Sequence, residues 1–278
     1  MRLYPSEIVA SGRNEIPVPQ DPVTHDFDAA TGIARITFNR PDVLNAIDLA
    51  TARTFGAAVA AVTGFEGLRC VVLAGAGRAF IAGGDVASFG DEPAEVVDAL
   101  LEALHPPLLA LRACAAPVLA VVQGAAAGGG LSIALGADYL LASDKARFVI
   151  AYDRIGAAPD CGGTWFLARK LGRTRAFAML LRGETLDGQA ALEAGLVSEV
   201  VPQAELEARA QALALRIASG PTQAYGQFKR LIDDATAATL ADQLEAERRA
   251  FLTATMTDDF REGVAAFLSK REPVFTGR

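Results

Sequence analysis

Four short apolar runs, CVVLAG from Cys70, VLAVVQG from Val118, DYLLAS from Asp138 and RFVIAY from Arg147, are separated by helix-like or turn-rich stretches. A run that is apolar throughout is what a strand buried on both faces requires, and its alternation with helical sequence predicts an α/β arrangement. Ahead of them, Ala34, Ile36 and Phe38 alternate with Arg35, Thr37 and Asn39, the pattern of a half-buried strand, and the folded body is expected to begin about here. After Pro202 the strand pattern stops. ELEARAQALALRIAS, TQAYGQFKRLIDD, LADQLEAERRAFLTA and DDFREGVAAFLSKR then read as four amphipathic helices.

The chain has 278 residues, 51% of them hydrophobic, enough to bury one large core. Its expected divisions are an irregular arm over 1–23, marked by Pro5, Pro17, Pro19 and Pro22, an α/β core over 24–202 and a helical region over 203–278. The apolar stripes of that last region exceed what the core can cover, so a trimer or hexamer is expected.

A net charge of -7 leaves no basic stripe to follow a phosphate backbone, which argues against a nucleic-acid partner. Cys70, Cys114 and Cys161 are odd in number and lack CxxC spacing. Neither a disulfide framework nor a zinc site is expected, and a reducing cytoplasm fits. Residues 113–137 carry no charge and are long enough to span a bilayer, but Pro117 and five glycines divide them into a strand, a turn and a small-residue helix. No membrane association is expected.

Several chemistry-bearing patterns fail on inspection. AGAGRAF lacks the third glycine of a dinucleotide fingerprint, where Phe80 stands, and no phosphate-binding GxxxxGK[ST] occurs. GGGLSIA approaches a nucleophile elbow around Ser132, yet the only histidines, His25 and His105, precede that serine, the reverse of the order this hydrolase fold requires. His105, beside Pro106 and Pro107, is expected at a helix end or in packing. What remains is a pair of glycine-rich turns, AGGD from Ala82 and AGGGL from Ala127. Glycine lets peptide N–H groups approach a ligand closely, and two such groups aimed at one point can hold a developing oxyanion; alternatively both are simple tight turns.

From Thr24 to Arg278 the chain resembles the crotonase, or enoyl-CoA hydratase/isomerase, superfamily. NRPDVLNAID is similar to its NRP-x-x-x-NA segment, GRAFIAGGDV to its first oxyanion block, GAAAGGGLSIALGAD to its second, and ETLDGQAALEAGLVSEVVP to the stretch before its helical tail. The resemblance implies a crotonase-like spiral of ββα units with a helical C-terminal trimerisation region. It also implies a coenzyme A thioester whose carbonyl oxygen is held by the backbone N–H groups of Gly84 and Gly129. Ala82, Asp85, Val86, Ser132 and Tyr152 are the further substrate contacts so implied. Coenzyme A would be part of the substrate, with no separate cofactor and no metal.

Where hydratases of this family carry two glutamates, this chain has Ser132 and Tyr152, and neither ionises readily enough to replace a carboxylate base near neutral pH. The stretch RIGAAPDCGGTWFLARKLG instead resembles the branch that includes ring-1,2-epoxyphenylacetyl-CoA isomerases, in which the aspartate matching Asp160 is the acid/base. The plain alternative is that Asp160 caps the following helix. Cys161 is expected as a small packing residue. The expectation is therefore an acyl-CoA thioester isomerase, with a hydratase of unusual residues or a non-catalytic acyl-CoA-binding subunit as alternatives.

Overall fold

The computed structural model describes residues 21–278. The expected arm over 1–23 lies almost entirely outside that range. A strand, β1 (Val23–Asp28), precedes the expected first strand and pairs antiparallel with it. Its first residue is buried but most of the others face solvent, so no alternation announces it.

The main sheet has six strands in the order β1, β2 (Ile33–Phe38), β3 (Cys70–Gly75), β4 (Val118–Val122), β6 (Tyr139–Ser143) and β9 (Glu199–Val201), parallel from β2 onward. Side chains alternate across it as a pleat demands. Val71 and Leu73 of β3, with Val118, Ala120 and Val122 of β4, face the larger core beneath α1 (Leu49–Thr63) and α2 (Pro93–Ala113). Cys70, Val72, Leu119 and Val121 face the opposite side, which α6 (Leu206–Ala218) covers with Leu206, Ala210, Leu213 and Ala214. Burial on both faces is why these runs contain no polar alternation.

A second sheet of β5 (Ala125–Ala127), β7 (Arg147–Val149) and β8 (Thr185–Asp187) turns the chain away from the first, with β5 and β7 parallel and β8 antiparallel. Strand β4 runs through β5 into a short helix, α3 (Gly129–Leu135), as the broken apolar stretch suggested. The fold is mixed α/β with a helical C-terminal region. Among the described residues no helix is long and apolar enough to cross a membrane.

Helix α4 (Gly163–Leu181) is broken at Gly172, whose φ of 70° is left-handed. Short α5 (Gly188–Glu193) leads to β9, and α7 (Thr222–Ala235), α8 (Leu240–Thr255) and α9 (Asp258–Leu268) complete the chain. Helix α8 buries no residue, and Leu240, Leu244, Phe251 and Leu252 on it stay exposed. The expectation for His105 needs correction: it is exposed in the middle of α2, which continues through Pro106 and Pro107 to Ala113. The proline pair marks no boundary, and Pro107 packs inward.

Candidate active site

The site is assembled where the two sheets meet. A single bridge between Ile81 and Ala126, closed by the Ala127 N–H donating to the Ile81 carbonyl at 3.0 Å, brings the AGGD and AGGGL turns side by side. They touch: a Cβ at Gly83 would lie 3.3 Å from the Ala127 carbonyl oxygen, and one at Gly128 3.8 Å from the Gly83 Cα. Gly83 and Gly128 have φ of 117° and 51°, conformations in which a side chain is strained.

Gly84 forms a parallel bridge with Ile47, in which Ile47 N–H donates to Gly83 and Asp85 N–H donates to Ile47. Pairing of that form uses the flanking peptide groups and leaves the Gly84 N–H directed elsewhere. Gly129 is the first residue of α3, where an amide has no intrahelical acceptor. Neither N–H donates to any acceptor among the described residues. Ala82 donates to the Leu44 carbonyl, while Val86 stays exposed. The Asp85 carboxylate accepts from Arg40 at 3.2 Å, and Arg40 also pairs with Asp48, so Asp85 fixes the shape of its loop.

Beyond β7 the chain turns sharply at Ala151, where φ is 65°, and presents Tyr152 inward at 7% exposure. The left-handed alanine costs on the order of 1–2 kcal/mol. Tyr152 Oη donates to Asp160 Oδ1 at 2.5 Å. Burial, and then the Asp160 charge, push the phenol well above the ordinary tyrosine range, so it remains a donor. Asp160 opens a reversal in which Cys161 and Gly162 have φ of 50° and 78° and Gly163 N–H returns to the Asp160 carbonyl at 2.9 Å. Positive φ at both central positions is the type I′ form.

This turn overturns the capping alternative. Helix α4 starts at Gly163 with Gly162 as its cap residue and no side-chain cap bond. The Asp160 carboxylate lies over the Gly129 turn instead: a Cβ at Gly129 would be 3.3 Å from Asp160 Oδ1 and 3.9 Å from Tyr152 Oη. Ser132 is buried one turn along α3, its Oγ 3.4 Å from the Gly128 carbonyl, with no histidine partner. Cys161 is buried, and burial followed by the Asp160 charge holds its thiol far above the ordinary range. That suits packing, since the thiol stays protonated. No group of three or more metal-ligating side chains occurs among the described residues.

Asn45 carries a role that its motif does not spell out. Fully buried, it accepts from Arg40 N–H and donates to the carbonyls of Ala76, Ala79 and Phe80 within 3.0 Å, bracing the loop that leads to Gly84. Its place four residues beyond Pro41 in NRPDVLNA was the available signal. A cleft of about 610 Å³, lined by Arg112, Trp165, Arg169, Phe228 and Lys229, includes none of Gly84, Gly129 and Asp160. Two of its basic groups are taken up: Arg112 pairs with Asp138 and Asp233, and Lys229 with Asp138.

A mixed α/β fold that brings two glycine turns together beside a carboxylate defines a class of proteins able to hold a developing oxyanion. The enoyl-CoA hydratase/isomerase family matches residues 28–278, and this chain belongs to it. It is 40% identical over 252 residues to a Rhodobacter capsulatus protein described as a probable enoyl-CoA hydratase, covering 91% of this chain and 97% of that one. It is 39% identical over 251 residues to the 1,2-epoxyphenylacetyl-CoA isomerase of Escherichia coli, covering 89% and 96%. The crystal structure of an enoyl-CoA hydratase from Polaromonas superposes with a TM-score of 0.85 at 33% identity, covering 91% of this chain and 99% of that one.

Proposed function

We propose that this enzyme is an acyl-CoA thioester isomerase. The observation that carries the reading is the Asp160 carboxylate set against the Gly129 turn, with Ser132 and Tyr152 nearby in place of further carboxylates. The Gly84 and Gly129 N–H groups hold the thioester oxygen and stabilise the enolate that develops when a proton leaves carbon. Each such donor contributes roughly 100- to 1000-fold in rate. Asp160 accepts the proton as one C–H bond breaks, the electron pair moves through the enolate, and Asp160 returns the proton to another carbon. Atoms and charge balance within the substrate, so no redox partner or metal enters the step. Ala82, Asp85, Val86, Ser132 and Tyr152 flank the bound acyl chain.

The substrate is an unsaturated acyl-CoA whose double bond shifts or an aryl epoxide thioester that opens to an expanded ring, the second supported by the name of the Escherichia coli relative. Exposed apolar side chains on α8 and α9, among them Phe251, Phe267 and Leu268, support a homotrimer or hexamer. Three free cysteines support a reducing, cytoplasmic setting.

The test is incubation with a panel of aliphatic and aromatic acyl-CoA thioesters, with products read by mass and ultraviolet absorbance. Isomerisation without a gain of 18 mass units, roughly one water, is expected. Addition of water to crotonyl-CoA supports the hydratase reading that the Rhodobacter capsulatus relative favours. Neither turnover nor proton exchange leaves an acyl-CoA-binding subunit.

A further inference from the structure

The inference rests on the assignment of Asp160 as the proton carrier and concerns what holds that carboxylate in place. Asp160 stands on an irregular turn rather than a helix or strand, and the turn contains two successive left-handed residues. From Arg154 to Ala158 the chain leading to it is exposed. Its backbone supplies little stiffness, and a loop carboxylate at half-exposure samples several rotamers unless something restrains it. Its carboxylate accepts a hydrogen bond from Tyr152, eight residues earlier.

Tyr152 is itself well anchored. Its N–H donates to the Ile150 carbonyl at 3.0 Å across the strained Ala151, and its own carbonyl accepts from Ala157 N–H at 3.0 Å. The ring lies against the second glycine turn, with its Cζ 3.9 Å from where a Gly128 Cβ would stand. A rigid aromatic has two rotatable bonds to lose, and here packing fixes them. The hydroxyl therefore reaches Asp160 from a fixed base, in contact with the backbone that bears Gly129.

We infer that Tyr152 is the positioning residue of the site: its hydroxyl pins Asp160 Oδ1 over the Gly129 turn, so that the carboxylate meets the substrate carbon in one orientation. Tyr152 moves no proton itself. Burial keeps the phenol protonated, so it donates to Asp160 throughout. A misplacement of about 1 Å at a reacting group costs on the order of 100-fold in rate, which sets the size of the effect.

The decisive variant is Tyr152→Phe, which keeps the ring and removes the donor. On a thioester that the parent isomerises, kcat falls about 100-fold while KM changes by less than about twofold. The double variant Tyr152→Phe/Asp160→Asn is no slower than Asp160→Asn alone, because a residue that acts through Asp160 has nothing left to position. A crystal structure of Tyr152→Phe shows the carboxylate displaced from the Gly129 turn at an unchanged fold. The inference is overturned if the carboxylate stays in place, or if the two single effects multiply in the double variant. If Tyr152→Phe melts early, the structure of Tyr152→Met decides by the same displacement. A parent with no turnover on the panel defeats the isomerase assignment, and the crystallographic result then decides the positioning role alone.

Discussion

Gly163 and Ser132 meet so closely that a single methyl group on the glycine would lie 2.4 Å from the serine Oγ. The first residue of α4 is thereby seated on the helix that begins with Gly129, and the two ends of the site share one contact. Gly163→Ala should cost about 1–3 kcal/mol by overpacking and should slow turnover, since α4 and α3 must part. Adding Ser132→Ala removes the hydroxyl in the way. Thermal melting should recover in the double variant.

Asp160→Asn should leave stability nearly unchanged, because the side chain caps no helix and the amide oxygen can still accept from Tyr152. Loss of the titrating group should lower turnover by roughly 100- to 10,000-fold. Exchange of substrate protons with deuterated water should stop as well. Normal exchange in a folded Asn variant would remove the acid/base assignment.

Gly129→Pro tests the second oxyanion donor. Proline is tolerated at the first helical position, where its fixed φ fits and the missing N–H breaks no helical bond. Turnover should fall on the order of 100- to 1000-fold in a variant that still folds. Circular dichroism alongside kcat separates loss of the donor from loss of the fold.

Asn45→Ala should be among the costlier substitutions that remove no charge. It strands the carbonyls of Ala76 and Phe80 beneath the first glycine turn, while Ala79 keeps a donor in Gln123, at about 2–4 kcal/mol in all. Denaturant titration reads the stability. KM for the thioester should rise with it, since the Gly84 loop loses its brace.

Glu262 gives a pH-dependent term. Arg271, and then the Val274 N–H, hold it at about 2 against an ordinary 4.5. A lowered value in the folded state means the contribution is complete above the ordinary value and disappears as the pH falls from 4.5 toward 2. Glu262→Gln should therefore lower Tm slightly at pH near neutrality and not at all at the acid end. Because the pair is on the surface, added salt should shrink the difference too.

The parts of the fold legible in the sequence were those with a strong period. Helices α6 to α9 fall where the apolar spacing put them, α6 to α8 within a residue at each end and α9 stopping three residues short, and β3, β4 and β6 coincide with unbroken apolar runs. β1 escaped because four of its six residues are exposed, and β5 and β8 because three residues carry no period. His105 was misplaced because prolines usually end helices, whereas α2 absorbs both. At the site, the glycine turns were visible as composition, but their contact depends on the Ile81–Ala126 bridge, which no local pattern encodes. Tyr152 and Asp160 share no helix or strand, so their meeting rests on the Ala151 turn and on the reversal that Asp160 opens.

The proposed holders of the thioester oxygen are main-chain groups of Gly84 and Gly129, set by bridges and a helix start. A peptide N–H survives nearly every codon change, since proline alone deletes it. On the proposed reading, variation in the chemistry of the site is therefore concentrated on the side chains at three positions, 132, 152 and 160. A lineage can exchange one chemistry for another there by single substitutions without first surrendering its grip on the thioester.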